Sequence, residues 1–229
     1  MDKKYFFGKR YFVLVIFTFI SLSVFAATEI KTEKQKLSYT MGIYFALGVT
    51  QQEMDIDVPS FIQAVEDALK GKEPQISTKE MQDILTRYKQ TIAKQQSDAV
   101  AANRKVGNIF LAENKKKKGV IESPTGLQYK VIKEGEGEKP VASSNVTVHY
   151  KGALIDGTVF DSSYERGQPA TLSLSQVIKG WQEALPMMKA GSKWQIYVPS
   201  ELAYGDHSAS QLIGPASTLI FDIELISVN

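Results

Sequence analysis

The sequence predicts an α+β protein: an N-terminal all-α part, a long connecting helix, and a C-terminal antiparallel sheet wrapped on one short helix. Three observations carry this. From Leu37 to Lys118 apolar residues recur at helical spacing, with almost none of the alternation a sheet requires. After Gly119 the pattern changes to period two. Within that second part only Ser175 to about Leu185 is free to form a helix.

Ahead of both parts, "MDKKYFFGKR" is basic and "YFVLVIFTFISLSVFA" is apolar. Val24 and Ala26 stand at −3 and −1 of a cleavage site before Ala27. Residues 1–26 therefore predict a secretory signal peptide, the alternative being a retained membrane anchor. Their loss removes Lys3, Lys4, Lys9, Arg10 and Asp2, leaving 23 basic and 24 acidic side chains and changing a formal charge of +2 to −1. The mature chain thus has no basic excess with which to bind nucleic acid. With no cysteine and only His149 and His207, neither disulfides nor thiolate chemistry is available, and a metal centre or other cofactor is not expected.

The helical part divides into residues 27–76, a helical dimerisation domain, and 77–118, the connecting helix. "LSYTMGIYFALGV" places Leu37, Met41, Tyr44 and Phe45 at helical spacing, with Gly42 and Gly48 interleaved. "DVPSFIQAVEDALKG" opens with Asp57 and Pro59, repeats Phe61, Val65 and Leu69, and stops at Gly71. "STKE" supplies a capping box, Ser77 and Glu80, for a third helix with Met81, Ile84, Leu85, Tyr88 and Ile92 on one face. Its continuation "AKQQSDAVAANRK" has little to bury, so a helix reaching about Lys117, roughly 60 Å long, is expected to stand free in its middle. Lys115 to Lys118 suit a helix C-terminus, where the macrodipole favours cations. The three helices carry more apolar residues than they can bury alone, which predicts a homodimer through residues 28 to about 92.

The sheet part spans 119–229. "GLQYKVI" is one strand, and "NVTVHYKGAL" sets Val146, Val148 and Tyr150 against Thr147, His149 and Lys151, so His149 faces away from Tyr150. Asp156-Gly157 signals a two-residue hairpin leading to "TVFDSS". "KWQIYV" and "LIFDIELISV" present Trp194, Ile196 and Val198, and Leu219, Phe221, Ile223 and Leu225, to one side. In the short helix Val177, Trp181 and Leu185 fall at i, i+4 and i+8, turning Trp181 to the sheet. This makes it a core plug or a pocket floor, and Gly180 hints at close approach of another backbone.

The segments "VHYKGALIDGTVFDSS", "RGQPATLSLSQVIKGWQEALPMMKAGSKWQIYVPSELAYG" and "IGPASTLIFDIEL", in this order and spacing, strongly resemble the FKBP-type peptidyl-prolyl cis-trans isomerases. "KLSYTMG", "MQDIL", "FLAENKKKKGV" and "SPTGLQYKVI" are similar to the exported Mip (macrophage infectivity potentiator) subgroup, whose members pair through N-terminal helices. The resemblance implies a prolyl isomerase without metal or cofactor, acting on proline-containing unfolded or exported proteins. It also implies an FKBP-like sheet, a periplasmic, outer-membrane or cell-surface location, and binding of macrolide-type inhibitors. It assigns Trp181 as the floor of a shallow pocket and Tyr150, Phe160, Val177, Ile178 and Ile213 as walls, with Phe221 at the bottom. Asp161 and Tyr204 are polar contacts, Arg166 is the partner of Asp161, and the Ile178 N–H and Tyr204 hydroxyl are carbonyl donors. Asp161, Tyr204, Ile178 and Phe160 are the catalytic candidates. Ala170 and Ala209 depart from the better-known members, leaving inhibitor affinity open. A non-catalytic chaperone or surface adhesin using the same pocket and cleft is the competing reading.

Overall fold

The computed structural model describes residues 29–51 and 54–229. The signal-peptide expectation lies outside these residues. The chain divides into two compact units, one ending at Gln75 and the other Ile76–Asn229. No helix among the described residues is long and apolar enough to cross a membrane.

The first unit contains α1 (Glu33–Gln51) and α2 (Val58–Leu69). Asp57 caps α2 by accepting the Ser60 N–H at 2.9 Å, and Gly71, at φ +67°, ends it in a conformation that costs glycine little. Phe45 stacks on Phe61 at 5.1 Å. Neither helix buries a residue fully, and Met41, Tyr44 and Leu69 are 66%, 73% and 84% exposed.

The second unit begins with α3 (Thr78–Asn114), 37 residues and about 55 Å long at 1.5 Å per residue. Ser77 caps it by accepting the Glu80 N–H at 3.2 Å; this is the forward half of the capping box. Residues 82–98 are exposed, as the composition predicts for those after Ile92, but the last third is not free. Gly107 is buried so tightly that a Cβ there would lie 2.3 Å from Thr218 Oγ1. Phe110 packs on Tyr197 at 6.0 Å, Asn103 donates to the Pro215 carbonyl at 2.8 Å, and buried Asn114 donates to Gln128 at 2.9 Å.

Seven antiparallel strands follow: β1 (Val120–Glu122), β2 (Gln128–Lys133), β3 (Asn145–Leu154), β4 (Val159–Ser162), β5 (Ala170–Ser173), β6 (Lys193–Val198) and β7 (Leu219–Val228). Their order is β1-β2-β6-β7-β3-β4, with β5 also on β3. Two corrections to the sequence reading arise here. The β3–β4 connection has three residues between the paired Leu154 and Thr158, and Gly157 takes φ +92° after a turn closed by its own N–H on Leu154 O. That is the three-residue loop with a left-handed last position, not a two-residue turn.

The short helical segment is also broken. A 3₁₀ turn (Leu174–Gln176) precedes α4 (Lys179–Ala184), and a second 3₁₀ turn (Leu185–Met187) follows it. Val177, at φ −92° and ψ 170°, and Ile178, the N-cap, are extended. Val177 therefore lies outside the helix and does not share its i, i+4 face with Trp181. Two consecutive β-branched residues favour this extended entry. Trp181 and Leu185 keep their spacing, and both are buried against Ile196, Val198, Phe221 and Ile223 of the sheet.

Candidate functional site

The site is an aromatic bowl between α4 and the inner face of β3, β4 and β7. Trp181 is its floor, 3% exposed, because α4 lies almost in contact with β6 at Gly180. A Cβ on Gly180 would stand 2.6 Å from Val198 Cγ1. The close approach hinted at by this glycine is thus to a side chain, not to another backbone. Tyr150 and Phe221 meet the Trp181 ring edge-on, each 5.3 Å between centroids and at 85° and 86°. Phe160 meets Phe221 in the same way at 5.6 Å and 84°. These edge-to-face contacts suit the ring quadrupoles and fix each ring's orientation through its neighbours.

A β-bulge brings Phe160 and Asp161 to the same side. On β3 the pairing moves from Gly152↔Asp161 to Ala153↔Val159, leaving Phe160 as the additional residue of β4. In regular pleating, adjacent side chains would point to opposite faces. Instead the Phe160 ring lies over Gly152, where a Cβ would meet its Cε2 and Cζ at 2.6 Å and Phe221 Cε1 at 2.9 Å. Gly152 pairs with Phe221 across β3 and β7, so its missing side chain makes the room that two phenylalanine rings occupy.

The polar wall is a three-residue cluster. The Tyr150 hydroxyl donates to Asp161 Oδ2, Arg166 Nη1 donates to Asp161 Oδ1, and Arg166 Nη2 donates to the Tyr150 oxygen at 2.8 Å. The Arg166 guanidinium lies 5.5 Å from the Tyr150 ring centroid. Partial burial pushes the Asp161 carboxyl up, but the hydrogen bonds from Tyr150 and Arg166 outweigh it and hold the pKa below the ordinary carboxylate value. Burial, then the bond to Asp161, raises that of Tyr150. With side chains 47% and 41% exposed, the Arg166–Asp161 pair contributes little to stability. Its effect is geometric: it holds the Tyr150 ring upright against Trp181.

Val177 and Ile178 pack against the core at the rim, and Ile213 is 5% exposed within it. Among the described residues the Ile178 N–H has no backbone acceptor. Tyr204, 41% exposed, follows the 3₁₀ turn Ser200–Leu202. The loop after it is closed at its base by Ala216 N–H on Gly205 O at 2.8 Å. So Tyr150, Phe160, Asp161, Arg166, Trp181 and Phe221 are brought together directly, Val177, Ile178 and Ile213 border the same core, and Tyr204 is exposed. Ala170 begins β5 opposite Val148, and Ala209 donates to Ile213 O at 3.0 Å. His149 is on the outer face, stacked on Tyr164 at 4.6 Å and within 3.0 Å of Ser163 Oγ.

Sequence reasoning did not find Gly152, the Tyr150 hydroxyl as the link between Asp161 and Arg166, or Gln182, whose side chain grips the Val177 carbonyl at 2.8 Å. An isolated glycine inside a strand pattern is the one available signal for Gly152.

An antiparallel sheet crossed by one short helix, with an apolar bowl at their junction, is the architecture of a proline isomerase domain. Residues 136–226 match the family described as FKBP-type peptidyl-prolyl cis-trans isomerase, and residues 34–131 match the domain amino terminal to it. The chain belongs to the FKBP-type peptidyl-prolyl cis-trans isomerases and is an enzyme of that type.

The Mip resemblance also holds. The chain is 46% identical over 208 residues to the peptidyl-prolyl cis-trans isomerase Mip of Coxiella burnetii, covering 89% of this chain and 90% of that protein. It is 44% identical to the outer membrane protein MIP of Legionella longbeachae, covering 89% of each. Among solved structures, FkpA from Escherichia coli is 38% identical and superposes with a TM-score of 0.60 over 88% of this chain and 99% of that one. A Pseudomonas syringae peptidyl-prolyl isomerase is 42% identical with a TM-score of 0.53, over 56% of this chain and 95% of its own.

Proposed function

We propose that the bowl floored by Trp181 holds the proline ring of an X-Pro bond and releases it as either isomer, without acid, base, metal or cofactor. The observation that supports this most is the pair of edge-to-face contacts that Tyr150 and Phe221 make with Trp181, extended by Phe160 on Phe221, beside the Tyr150–Asp161–Arg166 wall. Twisting the amide breaks no covalent bond but works against a barrier of about 18–20 kcal/mol set by resonance. It also localises the nitrogen lone pair and reduces charge separation, so an apolar surface favours the twisted state over the planar one. Raising turnover from about 0.01 to about 100 per second requires only about 5.5 kcal/mol of such selectivity. In this reading the Ile178 N–H and the Tyr204 hydroxyl hold substrate carbonyls, while Val177, Phe160 and Ile213 contact the residue before proline. Asp161 serves by orienting Tyr150. A protease-coupled proline-peptide assay of Tyr204→Phe tests the hydroxyl's role, which full turnover would refute.

The remaining parts of the chain belong to the same reading. Residues 1–26 act as an export signal for a periplasmic or surface-associated enzyme, and N-terminal sequencing of the mature protein should begin at Ala27. Residues 119–229 are the isomerase domain, and the helices ahead of it assemble a homodimer. Tyr44, Met41 and Leu69 are 73%, 66% and 84% exposed, more apolar surface than single helices keep in water, and the occupant is a second copy of the same helices. Sedimentation at micromolar concentration should give the mass of two chains. A single-chain mass would refute the pairing.

A further inference from the structure

We infer that Gln182 is a positioning residue that aims the Ile178 N–H into the bowl. The inference rests on the donor role given to that N–H under the proposed function and adds what sets its direction. Ile178 precedes the first turn of α4 as its N-cap, in extended conformation at φ −60° and ψ 152°. Nothing in helix geometry fixes the peptide plane on its N-terminal side, because that plane lies outside the helix. The plane is rigid and trans, so the Val177 carbonyl and the Ile178 N–H point in opposite directions within it. Whatever holds the carbonyl oxygen thereby aims the N–H.

The holder is Gln182. Its Nε2 donates to Val177 O at 2.8 Å, while its own backbone N–H donates to Ile178 O at 3.1 Å, beside the Trp181 N–H at 2.9 Å. One residue therefore grips the carbonyls on both sides of Ile178 and leaves the Ile178 N–H as the group without a backbone acceptor. The orientation of the amide is determinate, since the acceptor is a carbonyl and only the NH₂ end of glutamine can donate to it. The bond also polarises the peptide group, making its N–H a better donor to an incoming carbonyl. Reach matters as well: the contact spans five residues from position 182 back to 177, so a side chain shorter than glutamine at this position loses it.

The test uses the full chain and three substitutions, Gln182→Lys, Gln182→Met and Gln182→Glu, at an exposed position where all four residue types have nearly the same helix propensity. Lysine keeps a donor at similar reach, methionine keeps length without a donor, and ionised glutamate turns an acceptor toward Val177 O. The expected order of kcat/KM on a Leu-Pro peptide is lysine within about twofold of wild type, methionine lower by about three- to tenfold, and glutamate at least as low. Packing or helix stability alone would not separate lysine from methionine, and the macrodipole would favour glutamate near the start of α4. The second readout is the Ile178 amide proton in ¹⁵N-isoleucine-labelled protein saturated with the same peptide. It should move downfield in wild type and move less in Gln182→Met. Equal kcat/KM in all three variants with an unchanged Ile178 shift overturns the role of Gln182 alone. No peptide-induced shift in wild type overturns the donor role of Ile178, and the inference about Gln182 falls with it.

Discussion

Replacing Gly152 by alanine tests the geometry of the bowl with one methyl group. A Cβ built there lies 2.6 Å from two carbons of Phe160 and 2.9 Å from one of Phe221, whereas carbon atoms rest at about 3.5–4.0 Å, so a ring has to move by about 1 Å. Phe221 is 5% exposed and packed against Trp181, and it cannot yield. Phe160, partly exposed on a bulged edge strand, can. Overpacking of this kind costs about 1–3 kcal/mol, and a 1 Å displacement in a binding site can cost about a hundredfold in rate. Gly152→Ala should therefore lower the urea midpoint by an amount corresponding to about 1–3 kcal/mol and reduce kcat/KM on proline peptides by about ten- to a hundredfold. Adding Phe160→Leu should restore part of the stability, since the crowded ring is removed and the two changes couple. Wild-type stability and turnover in Gly152→Ala would show that Phe160 does not occupy this position.

Other perturbations separate the parts. Trp181→Ala should cost about 3–5 kcal/mol in unfolding free energy as well as binding, because it removes a buried core residue. Since the folded pKa of Asp161 is depressed, the stabilisation linked to its charge is present above its unfolded value near 3.9 and lost as pH falls through the lower folded value, so activity should be flat from pH 6 to 8 and fall only under acidic conditions. Tyr150→Phe removes a donor to Asp161, which should raise the carboxyl pKa in a ¹³C titration and move the acid limb upward. A fragment starting at Gly119 loses the Phe110–Tyr197 and Asn114–Gln128 contacts and should melt well below one starting ahead of Ala99, which keeps them.

Much of this was legible because it depends on local chemistry. Asp57 and Ser77 announce helix starts, Gly71 announces a stop, and period-two alternation in β3, β6 and β7 identifies which side chains meet in the core. The spacing of Trp181 to Leu185 made it legible as a side chain turned to the sheet, and the family resemblance, not the spacing, made it a floor. What escaped depends on contacts between distant segments. The bulge at Phe160 arises from register between β3 and β4, and no pattern within "TVFDSS" encodes it. The docking of α3 rests on Gly107, Asn103 and Asn114, residue types that read as weak helix formers until Thr218, Pro215 and Gln128 are placed beside them. The break before α4 was misread because Val177 satisfies helical spacing, while the conformation of Ile178 is set by hydrogen bonds from Trp181 and Gln182.

The central claim is that an apolar bowl, with no proton transfer, accelerates rotation about X-Pro. Exchange between cis and trans forms of a Leu-Pro peptide, followed by NMR without a coupled protease, addresses it directly when run in H₂O and D₂O from pH 6 to 8. Without protein the exchange takes tens to hundreds of seconds. With the protein it should be greatly accelerated, equal in the two solvents, and independent of pH over that range. Exchange at the uncatalysed rate, a solvent isotope effect well above one, or a histidine-like titration would contradict it.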